Sequence, residues 1–289
     1  KNTLVKNYLA LAEKAGAQVL PMTTVTALRQ CADGSWEIDT VRTGRWVRKH
    51  TSTFTARHVI VAAGTWGTQK LLFDMRDSGT LPKISDRLGV LTRTNSESIV
   101  GAGRYKASPD LDLTHGVAIT SSIHPTPDTH IEPCRYGRGS NAMGLLQTLM
   151  TNGAGPGGTD EPRWKQLLKA AAANPRGALR VLSVRKWSER SVISLVMQHL
   201  DNSITTFTTK GLFGRRMTSK QGHGEPNPTW IPVGNQVTRR IAEKIDGVAA
   251  GTWGEMFNIP LTAHFLGGAA IGDGPENGVI DPYHRVYGY

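Results

Sequence analysis

The spacing of apolar positions changes several times along the chain, and each change predicts an element. Over residues 2–15, Leu4, Val5, Tyr8, Leu9, Leu11 and Ala12 recur at helical intervals and Gly16 supplies a stop, the pattern of an amphipathic helix. Residues 17–20 and 24–28 read as short strands, and Asp33-Gly34 before Trp36-Glu37-Ile38 signals a hairpin. Residues 51–63 alternate and then become continuously apolar at Val59-Ile60-Val61-Ala62-Ala63, as a strand buried on both faces of a parallel sheet does. That run enters Gly64-Thr65-Trp66-Gly67-Thr68 and a helix over 69–76.

Further on, 92–133 carries β-branched alternation around Val117-Ala118-Ile119-Thr120, and 153–159 holds four glycines in seven residues, a loop signal. Residues 161–173 read as a helix with Trp164, Leu167, Leu168 and Ala171 on one side. Residues 191–197 and 201–209 read as a strand pair, the basic stretch 211–224 as a surface connection, and 236–250 as a helix through Val237, Ile241, Ile245 and Val248. The fold class is mixed α/β, with no internal repeat.

Composition narrows the classes. The 289 residues, 38% hydrophobic and 20% charged, suffice for a buried core in one large or two small domains. No apolar run approaches the roughly 18 residues of a membrane helix. The net charge of +11 raises nucleic acid as a partner. Its denser patches at 42–50, 176–190 and 210–220 lack aromatic interleaving or a zinc-finger spacing, so nucleic acid is set aside. Cys31 and Cys134 have no CxxC partner and imply neither a disulfide framework nor a zinc site, so a reducing compartment is the default.

Two segments carry candidate chemistry. At Gly64 to Thr68 glycine lets the backbone approach a phosphate or flavin edge at a helix N-terminus, although an ordinary strand-to-helix corner has the same sequence. No GxGxxG occurs, so no complete dinucleotide fingerprint is present. His264 precedes Gly267-Gly268, where a flat ligand could lie against the backbone beside a group that exchanges protons near neutral pH. On spacing alone a structural histidine in a glycine loop reads slightly better. His115, His124, His130 and His223 have no metal-ligand spacing, and no metal is expected.

The run Arg57 to Thr68 with Leu71-Leu72 and Leu81 to Gly89, together with His264-Phe265-Leu266-Gly267-Gly268 and Val279 to Gly288, resembles the central and C-terminal blocks of glucose-methanol-choline (GMC) flavin oxidoreductases. Within that family, Val192 to Phe207 with Gln198-His199-Leu200-Asp201-Asn202-Ser203, and Gly222 to Pro228, are most similar to the bacterial cholesterol oxidase-like members. The resemblance covers nearly the whole chain.

It implies a partial FAD-binding, Rossmann-like domain over 1–100, a substrate domain with a six-stranded antiparallel sheet over 101–255, and a return to the FAD domain over 256–289. It implies FAD as cofactor, with Val25, Gly64, Thr65, Gly67, Gly267 and Gly268 bordering it. His264 is implied as the catalytic histidine beside the flavin, sharing one cavity with Gly64, and Gln198, His199 and Asp201 as substrate residues. The reaction implied is oxidation of a sterol 3-hydroxyl with hydride passing to flavin, then to oxygen or another acceptor. Isomerisation of the steroid double bond, which some members perform with a strand carboxylate, is in doubt because 194–200 carries no acid and Asp201 or His199 would have to substitute. The abrupt ends lead us to expect a piece of a longer protein that would not retain FAD alone, cytoplasmic or membrane-associated. Two alternatives stand beside this: a basic module docking on a membrane surface or partner without catalysis, and a GMC dehydrogenase acting on another alcohol.

Overall fold

The computed structural model describes residues 3–47, 49–211 and 214–289. Its elements in chain order are α1 (Tyr8–Lys14), β1 (Thr23–Gln30), β2 (Trp36–Arg42), β3 (Thr51–Ala56), α2 (Gly64–Ser78), β4 (Thr92–Arg93), β5 (Ser98–Arg104), β6 (Ile123–Thr126), β7 (Thr129–Cys134), β8 (Gln147–Leu149), α3 (Arg163–Ala173), α4 (Pro175–Leu182), α5 (Trp187–Arg190), β9 (Ser191–Gln198), β10 (Ile204–Gly211), β11 (Gly214–Gln221), α6 (Pro232–Lys244), β12 (Gly247–Thr252), α7 (Trp253–Met256) and β13 (Leu266–Gly267). The class is mixed α/β with antiparallel sheets, as expected. The chain divides into two compact units: 1–89, 206–218 and 268–289 form the first, and 90–205 with 219–267 form the second.

In the first unit β1, β2 and β3 make an antiparallel sheet in sequence order. Asp33 makes the turn between β1 and β2 by accepting hydrogen bonds from the backbone N–H and hydroxyl of Ser35, and Gly34 adopts φ +83°, open to glycine at little cost. The loop is longer than the two residues expected, because Cys31 N–H closes onto Ser35 O outside the last pair, Gln30 and Trp36. Leu28 of β1 packs with Leu72, Phe73 and Met75 of α2 and with Leu81, Ile84, Leu88 and Val279 to form the core.

Four sequence expectations in this unit change. The first helix is short, α1 preceded by a 3-10 turn over Leu4–Lys6; the expected start at Asn2 lies outside the described residues. Residues 17–20 form no strand. The apolar run 59–63 is not a doubly buried parallel strand: Val59 and Val61 pack on the core while Ile60 is 91% exposed, one side of the run alone being covered. Part of the supposed surface connection 211–224 is the strand β11, hydrogen-bonded to β10; its residues 212 and 213 lie outside the described set.

The second unit is built on a six-stranded antiparallel sheet in the order β6-β7-β9-β5-β12-β8, the sheet the resemblance implied. Strand alternation sorts its residues by face. Val100, Ile131 and Val196 pack with Val233 and Val237 of α6, while Leu149 and Ala250 pack with Ala178 and Val181 of α4 and with Leu167 and Ala171 of α3. Gly234 lets α6 come close, since a Cβ there would stand 2.7 Å from Val196 Cγ2. Trp164 and Leu168, expected on the packed side of α3, are exposed. Strands β9 and β10 do not pair: β9 lies between β7 and β5, whereas Ile204 of β10 pairs with Thr92 of β4. The five residues 199–203 join them, and Ser203 N–H bonds back to His223 O, which takes the chain out of the sheet.

Candidate functional site

The face of the six-stranded sheet opposite α6 borders a cavity of about 300 Å³. Ile99 of β5 and Ile193 of β9 floor it, and Met143, Leu146, Trp253 and Leu261 enclose it. Its polar lining residues are few: Gln147 also serves the buried Trp187, whose indole N–H donates to Gln147 Oε1 at 2.7 Å. A mostly apolar, partly aromatic pocket of this size suits a rigid hydrophobic ligand of drug-like bulk.

His264 does not itself line this cavity and is linked to it through the neighbours of its partner Glu97. Glu97 forms an antiparallel bridge with Leu261, and Ile99 lies two residues beyond Glu97; both Leu261 and Ile99 line the cavity. Glu97 has a fully buried side chain, whereas that of His264 is 57% exposed. Glu97 Oε1 is 2.7 Å from His264 Nδ1, and its Oε2 accepts the backbone N–H of Ala263. One buried carboxylate thus holds both the main chain and the ring of the histidine segment. The contact with Glu97 is made through Nδ1, and His264 Nε2 has no hydrogen-bond partner among the described residues.

Behind Glu97 is a second, much smaller cavity of about 10 Å³, roughly the room of one water, bordered by Glu97, Ser98 and Glu255. Glu255 is 4% exposed and accepts the Ser98 hydroxyl at 2.7 Å, while its other oxygen has no hydrogen-bond partner among the described residues. Burial pushes its carboxyl up to about 7, against the downward pull of the Ser98 bond and of Arg163 and Arg239.

The other sequence candidates fall as follows. Gly267, in the second unit, pairs with Thr92 at φ +83°, and a Cβ on it would stand 2.6 Å from Leu91 O. Gln198 ends β9 and its amide donates to Thr129 Oγ1 at 3.0 Å; His199 stacks on His130 with centroids 5.4 Å apart. Asp201 is largely exposed, in an ion pair with Arg93 at 2.7 Å and facing His223 at 3.4 Å. The Arg93 bond, then that of His223, keeps its carboxyl below the usual range. None of these three borders the apolar cavity.

In the first unit, Val25 sits on β1 where the register with β2 shifts between Val25 and Ala27. Gly64, Thr65 and Gly67 occupy the first turn of α2, a 15-residue helix with no side-chain cap and no acid in that turn. Gly64 has φ +67° with open space where a Cβ would stand. An uncapped helix start of this kind carries positive potential and suits an anionic group. Gly268, at φ +78°, gives its carbonyl to Gly89 N–H at 2.7 Å.

Comparison with known proteins follows this geometry. No family model matches the chain. Over its whole length, 290 aligned residues, it is 75% identical to proteins named cholesterol oxidase from two strains of Mycobacterium tuberculosis, covering 50% of each. A protein of the same name from Acinetobacter baumannii is 41% identical over 301 aligned residues, again the whole chain and 52% of that protein. The chain is a homologue of cholesterol oxidases. It spans about half the length of the curated relatives it matches. The resemblance to cholesterol oxidase-like GMC oxidoreductases is therefore borne out.

Two carboxylates of the cholesterol oxidase homologue were missed in the sequence. Glu97 lies in Thr94-Asn95-Ser96-Glu97, a polar stretch that reads as a loop until the fold brings it to a residue 167 positions away. Glu132 on β7 pairs with Leu195, which pairs in turn with Ile99, so the three share the cavity face of the sheet. The alternation of 129–132 could have revealed a strand; only the pairing shows which face its acid occupies.

Proposed function

We propose that this chain contributes the substrate cavity and the proton-accepting histidine of a flavin-dependent oxidase acting on the 3-hydroxyl of a sterol. The observation that carries the reading is the Glu97–His264 pair beside an apolar cavity, in a chain homologous throughout to cholesterol oxidases. The α2 N-terminus with Gly64, Thr65 and Gly67, the β1 bulge at Val25, and Gly268, all in the first unit, would hold FAD. The uncapped, acid-free start of α2 and its open glycine are compatible with such a group. When bound, FAD would supply the acceptor for the hydride leaving the carbinol carbon.

The remaining work falls to the chain's own residues. Ile99, Ile193 and Leu261 exclude water and orient the steroid rings by apolar contact. His264 Nε2 accepts the hydroxyl proton, and Glu97 balances the imidazolium charge that results. Gln198, His199 and Asp201 would act at the outer part of the substrate path. For double-bond migration Glu132 is a further candidate beside His199 and Asp201, because it lies on the cavity face of the sheet while Asp201 is engaged by Arg93. The electron acceptor is oxygen or another oxidant, and contact with a membrane surface would give access to the sterol.

The test uses a protein carrying this chain within the full length of its relatives. It should bind flavin and convert a 3β-hydroxysterol to the ketone; a purified protein with no flavin, or with flavin that no sterol reduces, would refute the proposal. Salt-sensitive vesicle binding with no oxidation of any alcohol would favour the non-catalytic module instead.

A further inference from the structure

The Glu97–His264 contact has the form of a positioning device rather than of a surface ion pair. An exposed pair would be screened by water and weakly oriented. Here the carboxylate has no exposed side-chain surface, and both its oxygens are committed to one short segment, Oε2 to Ala263 N–H and Oε1 to His264 Nδ1. A carboxylate acceptor at Nδ1 requires the proton on Nδ1, which leaves the Nε2 lone pair free on the exposed side of the ring. Among the described residues Glu97 is the charged group in hydrogen-bond contact with His264, and Glu255 is the acid that shares the one-water cavity behind it.

We propose that Glu97 is a positioning residue: it fixes the Nδ1–H tautomer of His264, sets the ring's orientation, and thereby makes Nε2 the proton acceptor. This rests on the function proposed above and deepens it. In the step it serves, the substrate O–H bond breaks and an N–H bond forms at Nε2. Glu97 stabilises the imidazolium across the Nδ1 contact, as carboxylates behind catalytic histidines do.

Glu97→Gln separates this role from simple support of the loop. The carboxamide can still accept the Ala263 N–H, but its NH₂ would face Nδ1 and drive the proton to Nε2, the wrong tautomer. In the full-length holoenzyme, flavin reduction by sterol should fall by about 100-fold to 10,000-fold, the scale for a lost or mis-tautomerised acid–base group, with KM within about threefold and flavin content unchanged. Glu97→Asp keeps the charge at a longer reach and should recover at least about tenfold over Glu97→Gln, the lower end of what a restored carboxylate returns to a displaced base.

A wild-type kcat in Glu97→Gln, with His264→Ala slow, would overturn the positioning role and leave the proposed function standing. A raised KM or lost flavin with kcat intact would likewise assign Glu97 to loop support alone. If Glu97→Gln does not fold, Glu97→Asp carries the test by a lowered kcat at constant KM, and an unchanged kcat overturns the proposal. A wild-type rate in His264→Ala would instead remove the functional reading on which this one rests.

Discussion

Glu97 and His264, 167 residues apart, meet at 2.7 Å between a fully buried carboxylate oxygen and an imidazole nitrogen whose ring is largely exposed. The asymmetry suits the proposed site, since the buried partner is held fixed while the histidine ring keeps an exposed side. On this account His264→Ala should lower flavin reduction by a sterol at least about 100-fold with flavin content unchanged. Rapid-mixing absorbance checks this. Asp201→Ala and His199→Ala should act on substrate fit or double-bond migration, read from KM and the product's ultraviolet spectrum.

Glu255 gives a stability prediction with a definite sign. Its folded-state pKa is raised from the ordinary 4.5 to about 7, so between these values the folded state binds more protons than the unfolded one. Stability should therefore fall as pH rises from about 4.5 to about 7 and level off above, by an amount on the order of 3 kcal/mol. Glu255→Gln keeps an acceptor for Ser98 and removes the charge, so its Tm at pH 8 should exceed the wild type's, and the difference should vanish near pH 4. A wild-type Tm that rises between pH 5 and 7 relative to the variant would contradict the burial argument.

Gly267 is required by the backbone whatever ligand it meets. At φ +83° and with Leu91 O 2.6 Å from where a Cβ would stand, Gly267→Ala should destabilise by about 1–3 kcal/mol in the absence of any cofactor. Denaturant unfolding of flavin-free protein measures this, and an unchanged midpoint would show that the loop adapts.

The apolar cavity predicts substrate size selection. Ile193→Trp places a larger ring on its floor and should raise KM for a sterol at least about tenfold while leaving turnover of a short-chain alcohol within about threefold. Equal effects on both substrates would place the sterol elsewhere.

The sequence disclosed local features well and long-range ones poorly. α2, α3 and β9 were legible from their apolar residues, although Trp164 and Leu168 of α3 are exposed; the helix expected over 236–250 ends at Lys244, and 247–250 belong to the strand β12. The run 59–63 misled, since five apolar residues state that something covers them but not which side, and Ile60 is exposed. β9 and β10 look like a hairpin from their separation, yet β9 pairs with β7 and β5, while β10 pairs with the next strand, β11, and with Thr92 of β4. His264 was visible from its glycine setting. Glu97 was not, because its role depends on a contact that no local pattern encodes.

The most direct measurement is anaerobic mixing of a 3β-hydroxysterol with the holoprotein that carries this chain at the full length of its relatives, followed in the flavin's visible absorbance. The account predicts that the flavin bleaches in proportion to ketone formed, and that His264→Ala binds the same flavin but bleaches at least about 100-fold more slowly. Bleaching at the same rate in both proteins, or none in either with flavin bound, would contradict it.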